Sequence, residues 1–383
     1  MPVRVSLVIF EGGRARRAVE QDMARVRQAV VLDTIEKAQS VPEIAEVILV
    51  TNIHALATEA RALGCTVETS RTSPGTFHFG QALRDIVDRY RLEAVITMGG
   101  AAAPLMRPEE MAWIARQLMA EPAAVVVNNV QSPDIVGFRP AKVLDDIDLP
   151  ASDNALGSAL RQVGLQRFLI PNSAWINFDL DTPTDLGILA LAYGRGPRTS
   201  AAVAGINVDL RPILAAQELL RRPGSELMLI GRVGATIITL LNSNFACRVR
   251  VWSEERGMKA LGRLERGEVV SLAGLVIDRI GFEAFFEDLA RVAEAVLFDT
   301  RVLFAHWRVG LSDADRFYSD LRQPERIRDE KVRAFTRAAV AAPVPVVLGG
   351  HSLVYGGLWV LAESVLREQG RATILPYTPN PAV

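Results

Sequence analysis

From Val3 to Val130 the chain repeats one pattern: a short apolar run, a turn, then an amphipathic stretch of helical period. "VRVSLVIF" is rich in β-branched residues and closes on Gly12-Gly13, which reads as a strand. In "AVEQDMARVRQAVVLDTIEKAQ" the apolar residues Met23, Val26, Val30 and Ile35 recur at roughly helical spacing. The strands "EVILVTN", "CTVETS", "LEAVITM" and "AAVVVNNV" then alternate with the helices "HALATEARAL", "FGQALRDIVDRYR" and "RPEEMAWIARQLM". Strands that alternate with helices build a mostly parallel sheet covered on its faces. Ligands of such sheets sit beyond the carboxyl ends of the strands.

With 383 residues the chain is too long for one typical core. The small-residue stretch "RGPRTSAAVAG" reads as a linker, so two domains are expected, 1–195 and 206–383. The second resumes the α/β pattern, with strands at "ELMLIGRV", "CRVRVWS", "AVLFDTRVLFAH", "PVPVVLGG" and "ATILPY". Apolar residues make up 49%, charged residues 23%, and the formal net charge is −1. This is a globular composition without the basic surplus of a nucleic-acid binder, so no nucleic-acid partner is expected. Two cysteines far apart suit a reducing compartment. No apolar run is long enough for a membrane span, and a cytoplasmic protein without a membrane partner is expected.

Two stretches of the first half carry candidate chemistry. In "FEGGRARRA", Gly12 and Gly13 would let a ligand approach the backbone, with Arg14, Arg16 and Arg17 supplying charge for phosphates. The alternative is a turn with a solvated basic face. In "INFDLDTPTDLGIL", Asp179 and Asp181 alternate on an expected strand end, which would point both carboxylates to one face. Paired carboxylate oxygens suit Mg²⁺ held jointly with substrate phosphates. Thr182, Pro183 and Asp185 spell a helix start, with Thr182 as N-cap and Pro183 at N1. His78, between Phe77 and Phe79 in "SPGTFHFGQAL", reads as structural rather than catalytic.

"FDLDTPTDL" resembles the closing motif of nucleotidyltransferases with a glycosyltransferase-A-type fold, in particular the MobA-like and 2-phospholactate guanylyltransferase-like groups. "EGGRARR" is similar to their nucleotide loop, "AEVILVTN" to their second strand, and "LEAVITMGGAAAPLMRPEEM" to their strand, metal loop and helix. The resemblance covers residues 1 to about 195. It implies that Gly12, Gly13 and Arg14 bind nucleotide phosphates, and that Asp179 and Asp181 hold Mg²⁺. It implies transfer of a nucleotidyl group from an NTP to a small acceptor. Two family features are absent. No lysine stands between Arg14 and Lys37, and Ala101 occupies the place of the first metal aspartate. Asp134, or the acidic run holding Asp145, Asp146, Asp148 and Asp153, could replace it, although such a run reads more simply as a solvated loop. The rival expectations are a catalytically degenerate nucleotide-binding or scaffold protein, and a divergent glycosyltransferase using a sugar nucleotide.

The second half resembles no family. Its expected strand ends carry Arg232 in "IGRVGAT", Asp299, Arg301 and His306 in "LFDTRVLFAHW", and His351 and Ser352 in "VVLGGHSLVYGG". Such loops could converge on one pocket at the sheet's carboxyl edge, with Asp299, His306 and His351 as an acid/base or metal cluster. "GGHS" is not a nucleophile elbow, so a serine nucleophile is unsupported. The charged stretches "SEERGMKALGRLERGE" and "DRFYSDLRQPERIRDEK" read as solvated helices or loops, although Arg256 and Lys259 could hold an anion.

Overall fold

The computed structural model describes residues 3–69, 77–259 and 261–374. Gly75 and Thr76 of the "SPGTFHFGQAL" loop, and residues 375–377 of the expected strand "ATILPY", lie outside them. Among the described residues, no helix is long and apolar enough to cross a membrane.

The first half forms a seven-stranded sheet from β1 (Val5–Glu11), β2 (Ile44–Thr51), β3 (Thr66–Thr69), β4 (Ala94–Gly99), β5 (Ala124–Val127), β6 (Ile135–Arg139) and β7 (Gln166–Leu169). The spatial order is β3-β2-β1-β4-β6-β5-β7. All pairings are parallel except those of β6 with β4 and β5. The two-residue period of a strand sorts the apolar runs between the faces. Leu7, Ile9, Val47, Leu49, Ala124 and Val126 pack on one side, beneath the helices Ala18–Gln39 and Pro108–Ala120. Val8, Ile48, Val50, Val125 and Val127 pack on the other, with the helices Phe79–Tyr90 and Leu156–Gln162. Both faces are covered, which is why these strands read as continuous apolar runs.

The second half forms a four-stranded parallel sheet from β8 (Glu226–Gly231), β9 (Arg248–Ser253), β10 (Ala295–Asp299) and β11 (Val346–Gly349), in the order β11-β10-β8-β9. The expected mixed α/β architecture is therefore the observed one. Several local expectations are corrected. Residues 196–205 do not form a free linker. They contain the helix Pro197–Ala204, whose first N–H groups, of Arg198 and Thr199, donate to the buried carboxylate of Asp33 at 3.2 and 2.8 Å. "AVLFDTRVLFAH" is a strand only to Asp299 and then a helix, Arg301–His306. Ala372 to Ile374 are not in a strand.

The halves share a core. Leu227, Leu229, Leu297 and Val347 of the second sheet join Phe178, Leu180, Leu186 and Ile188 of the first half, around Leu358 and the fully buried Trp359. The helix Gly356–Glu368 makes this seam, lying against Asn177 and Phe178 so closely that Gly356 has no room for a Cβ.

Candidate functional site

In each sheet the chain crosses from one side of its first strand to the other, so that β1 and β4 in the first sheet, and β8 and β10 in the second, are neighbours whose chain continues in opposite directions. Loops part at such switch points and leave a crevice at the carboxyl edge. Two cavities open there.

The first, of about 420 Å³, is lined by the end of β1 and its loop (Phe10 to Gly13), by Val50 to Asn52 after β2, by Gly99, and by Phe77 and Phe79. Phe79 meets Phe10 edge-on at 5.1 Å. Gly13 has φ +132° and donates its N–H to Asn52 Oδ1 at 3.1 Å, a conformation that glycine tolerates and other residues do not. Arg14 is exposed on the same loop and does not line the cavity. His78 Nδ1 accepts the Gln81 N–H at 3.3 Å and caps the helix Phe79–Tyr90, the structural role expected of it.

The second cavity, of about 320 Å³, lies between the halves. Asp134, Asp153, Asp179 and Asp181 line it from the first half. Arg232, Arg256, Lys259, His351, Ser352 and Tyr355 line it from the second. Asp153 borders both cavities. Asp145, Asp146 and Asp148 line neither.

Asp179 and Asp181 are not on a strand end as expected. The segment is held extended by a single bridge between Asp179 and Ala102, with the Leu180 N–H donating to the Ala101 carbonyl at 3.2 Å. The alanine loop thus sits beside the carboxylates, as a metal loop would, but Ala101 to Ala103 are buried in the core and line neither cavity. Ala103 turns the loop at φ +43°, a left-handed value uncommon for a residue with a Cβ. "TPTD" does start a helix, Pro183–Leu191. The Asp185 carboxylate accepts from the N–H groups of Asp181 and Thr182 at 3.0 and 2.7 Å and from the Thr182 hydroxyl at 2.9 Å.

β6 delivers Asp134. Ile135 pairs with Met98 in the antiparallel register, so the preceding residue stands at the carboxyl end of β4. Asn128 Nδ2 donates to its carboxylate at 3.3 Å. Burial, and then repulsion from Asp181, push the Asp134 carboxyl up to about 7. Burial, then Asp181 and Asp134, push Asp179 well above the usual carboxylate range, against an opposing pull from Arg27. Arg27 was not recognised in the sequence. It sits on the first helix, bound to Glu11 at 3.1 and 2.9 Å, and it lines the first cavity.

This charge pattern has a pH consequence. An ordinary aspartate ionises near 4, whereas Asp134 retains its proton to about 7. Between those values the native chain binds a proton that the unfolded chain has released, so Asp134 lowers stability as pH rises through this window. In chelator-treated protein, Asp134→Asn is expected to raise the melting temperature at pH 8 relative to wild type and to give no such gain at pH 4.

The donor set fits a hard divalent cation. The carboxylates are mutually repulsive and all-oxygen, and such ions bind through one or two carboxylates plus substrate phosphates. Among the described residues, no group of three or more His, Cys, Asp or Glu side chains forms a ready-made metal cage. A cation here would therefore share its ligands with a bound phosphate.

In the second half, Arg232 donates to both carboxylate oxygens of Asp299, at 2.6 and 3.0 Å, and Asp299 is wholly buried. Asp299 thus anchors Arg232 rather than facing the cavity. His351 stacks on Tyr355 at 5.2 Å. Burial, then Arg232 and Arg256, push its imidazole down to about 3, so it is neutral at physiological pH. Ser352 donates its hydroxyl to the Asp179 carbonyl at 2.8 Å and so clamps the carboxylate segment from across the seam. Arg301 and His306 do not join this cavity. Arg301 pairs with buried Asp320 at 2.5 Å, and His306 lies at the far end of its helix, 3.4 Å from Asp278. The cluster expected of Asp299, His306 and His351 does not form.

No family model matches the sequence, and no curated protein matches it. Among solved structures, the chain is similar to a cytidylyltransferase from Leptospira borgpetersenii, at 12% identity and TM-score 0.41, over 54% of this chain and 99% of that one. It is also similar to a CMP:2-keto-3-deoxy-manno-octonic acid synthetase complexed with CTP, at 15% identity and TM-score 0.31, over 42% of this chain and 84% of that one. A third is Rv0371c of Mycobacterium tuberculosis in complex with manganese, at 18% identity and TM-score 0.35, over 48% and 96%. The first half has the mostly parallel sheet expected from its sequence.

Proposed function

We propose that this chain transfers a nucleotidyl group from an NTP to a small acceptor in the cleft between its halves. The observation that carries the reading is the grouping of Asp134, Asp179 and Asp181 at the carboxyl edge of a mostly parallel sheet, between an aromatic, glycine-lined cavity and a basic wall. The first cavity would receive the base and sugar against Phe10, Phe77 and Phe79, with Gly12 and Gly13 admitting the phosphates to the backbone. Arg14 would neutralise phosphate charge at the open side of that loop.

Asp179 and Asp181 would hold Mg²⁺ or Mn²⁺ jointly with the nucleotide's phosphates, with Asp134 lining the same cavity. The ion would offset negative charge on the reacting phosphate. Arg27 would take part of the role of the absent lysine, since it already draws on the charge of Asp179 and Asp181. Asp153, shared by both cavities, would face the bond that changes hands.

Calorimetry of NTPs with and without Mg²⁺ tests this. Binding that needs the cation is the expected result. A second reading, nucleotide binding without transfer, is favoured by the burial of Ala101 to Ala103 where a carboxylate would stand. It expects NTP binding of equal strength with and without metal. If no NTP binds, both readings fail.

A further inference from the structure

The basic wall of the cleft has an unmet charge. Arg256 is half-buried, and among the described residues no carboxylate lies within ion-pairing distance of it. Its guanidinium lies over Tyr355, 5.8 Å from the ring centre, and Nη2 meets His351 Nε2 at 3.4 Å. Nη1 reaches to within 2.7 Å of where a Cβ of Gly234 would stand, so it covers the glycine that begins the helix Ala235–Asn244. Its direct contacts are neutral, and the attraction it feels from buried Asp299 is shared with Arg232, which binds that carboxylate. Arg232, beside it, is already committed to Asp299 and adds repulsion. Lys259 is exposed at the mouth. A partly desolvated guanidinium without a counter-ion is costly, and an anion supplied from solution removes the cost.

The position of the wall narrows which anion. In phosphoryl-type transfer the attacking and leaving oxygens stand roughly in line. The glycine loop lines one cavity and the basic wall lines the other, with the carboxylates between. Leaving phosphates drawn to the loop put the attacking group on the side of the wall. We propose that Arg256, with Arg232 and Lys259, is a receptor for the phosphate or carboxylate of an anionic small molecule, the acceptor on the reading given above. The second half then completes the site and sets the acceptor class. His351 and Tyr355 act as positioning residues that orient the Arg256 guanidinium.

The test uses the full chain and inorganic phosphate as the probe, by calorimetry without nucleotide, alongside Mg²⁺-dependent NTP binding. Arg256→Gln is expected to weaken phosphate binding by at least about tenfold and to leave NTP affinity within about threefold of wild type. Arg256→Lys, which keeps the charge but loses the planar fork, is expected to fall between. Lys259→Gln, at an exposed position that does not support the fold, is expected to weaken phosphate binding by a smaller factor. Wild-type protein that binds no phosphate, or that binds it equally well in Arg256→Gln, overturns the proposal. Parallel loss of phosphate and NTP binding also overturns it, because the wall would then hold the nucleotide's own phosphates. Phosphate binding that depends on Arg256 in a protein that binds no NTP supports the receptor and removes only the transfer reading.

Discussion

Asp179→Asn is expected to lose Mg²⁺-dependent nucleotidyl transfer by roughly 10² to 10⁴ in rate while the protein folds as well as wild type or better. Both halves of this expectation come from one environment. The carboxyl of Asp179 is pushed well above its usual range by burial and by the neighbouring Asp181 and Asp134. A carboxyl shifted this way opposes folding at any pH above its ordinary value, because the native site resists the charge that the unfolded chain accepts freely. The asparagine is isosteric and uncharged. Its side-chain oxygen can keep the bond that Asp179 Oδ1 accepts from the Leu180 N–H at 3.0 Å. Stability is thus held or raised. The charge that would bind a cation is gone, and several kcal/mol of cation-mediated charge stabilisation at the reacting phosphate go with it, on the order of the rate loss stated. A melting curve and a calorimetric titration of NTP with Mg²⁺, run on the same preparation, check the two parts separately. A variant that binds NTP as tightly as wild type in the presence of Mg²⁺ would falsify the assignment of Asp179 as a metal ligand. A variant that melts well below wild type would mean that the carboxylate serves the fold.

The elements that sequence made legible are those whose burial is local. β1, β2, β4 and β5 are covered on both faces, so their apolar runs announce them, and the helices between them follow the same cores. β6 escaped because "IVGFR" is short, follows β5 without a helix, and runs antiparallel. That omission mattered, since β6 is what carries Asp134 to the end of β4. Arg27 escaped for a different reason. It stands among Met23, Val26 and Val30 on a helix whose pattern speaks only of packing, and its partner Glu11 is on the first strand. Closeness along the chain misled for Arg301 and His306, because a helix begins at Arg301 and carries His306 away from the strand end. The stretch of Arg256 and Lys259 reads in sequence as a solvated charged segment first and an anion holder second, because the carboxylates across the cavity lie in the other half of the chain. No spacing rule reports a contact of that range. The alanine loop was legible in part: its bridge from Ala102 puts it beside Asp179, but its side chains are buried, so the carboxylate nearest in role is Asp134, which the sequence offered only as one of several.

The largest structural effect is expected from Gly356→Ala. A Cβ there would fall 1.9 Å from the Asn177 carbonyl oxygen and 2.5 Å from both the Asn177 carbonyl carbon and the Phe178 Cα. All three are backbone atoms, so no side chain can turn aside to admit it, and an approach under 3.0 Å forces the chains apart. Ordinary overpacking costs about 1–3 kcal/mol because neighbours give way. Here the seam between the halves must open, and a loss above about 4 kcal/mol is expected in guanidinium denaturation. Function should fail with it, even where the protein is still folded. Asn177 and Phe178 lead directly into Asp179, and the clamp from Ser352 to the Asp179 carbonyl comes from the same turn as Gly356. Displacing that turn moves the carboxylates relative to the basic wall, and a misplacement of about 1 Å in a site of this kind costs on the order of 10²-fold. Gly205→Ala is the matched control. Its added Cβ would meet its nearest neighbour, the Ala202 carbonyl, at 3.6 Å, an ordinary contact, and it lies away from the seam. Equal denaturation midpoints for the two variants would show that the halves are not held together by this contact. A Gly356→Ala protein that keeps Mg²⁺-dependent NTP binding would separate the second half from the carboxylate site.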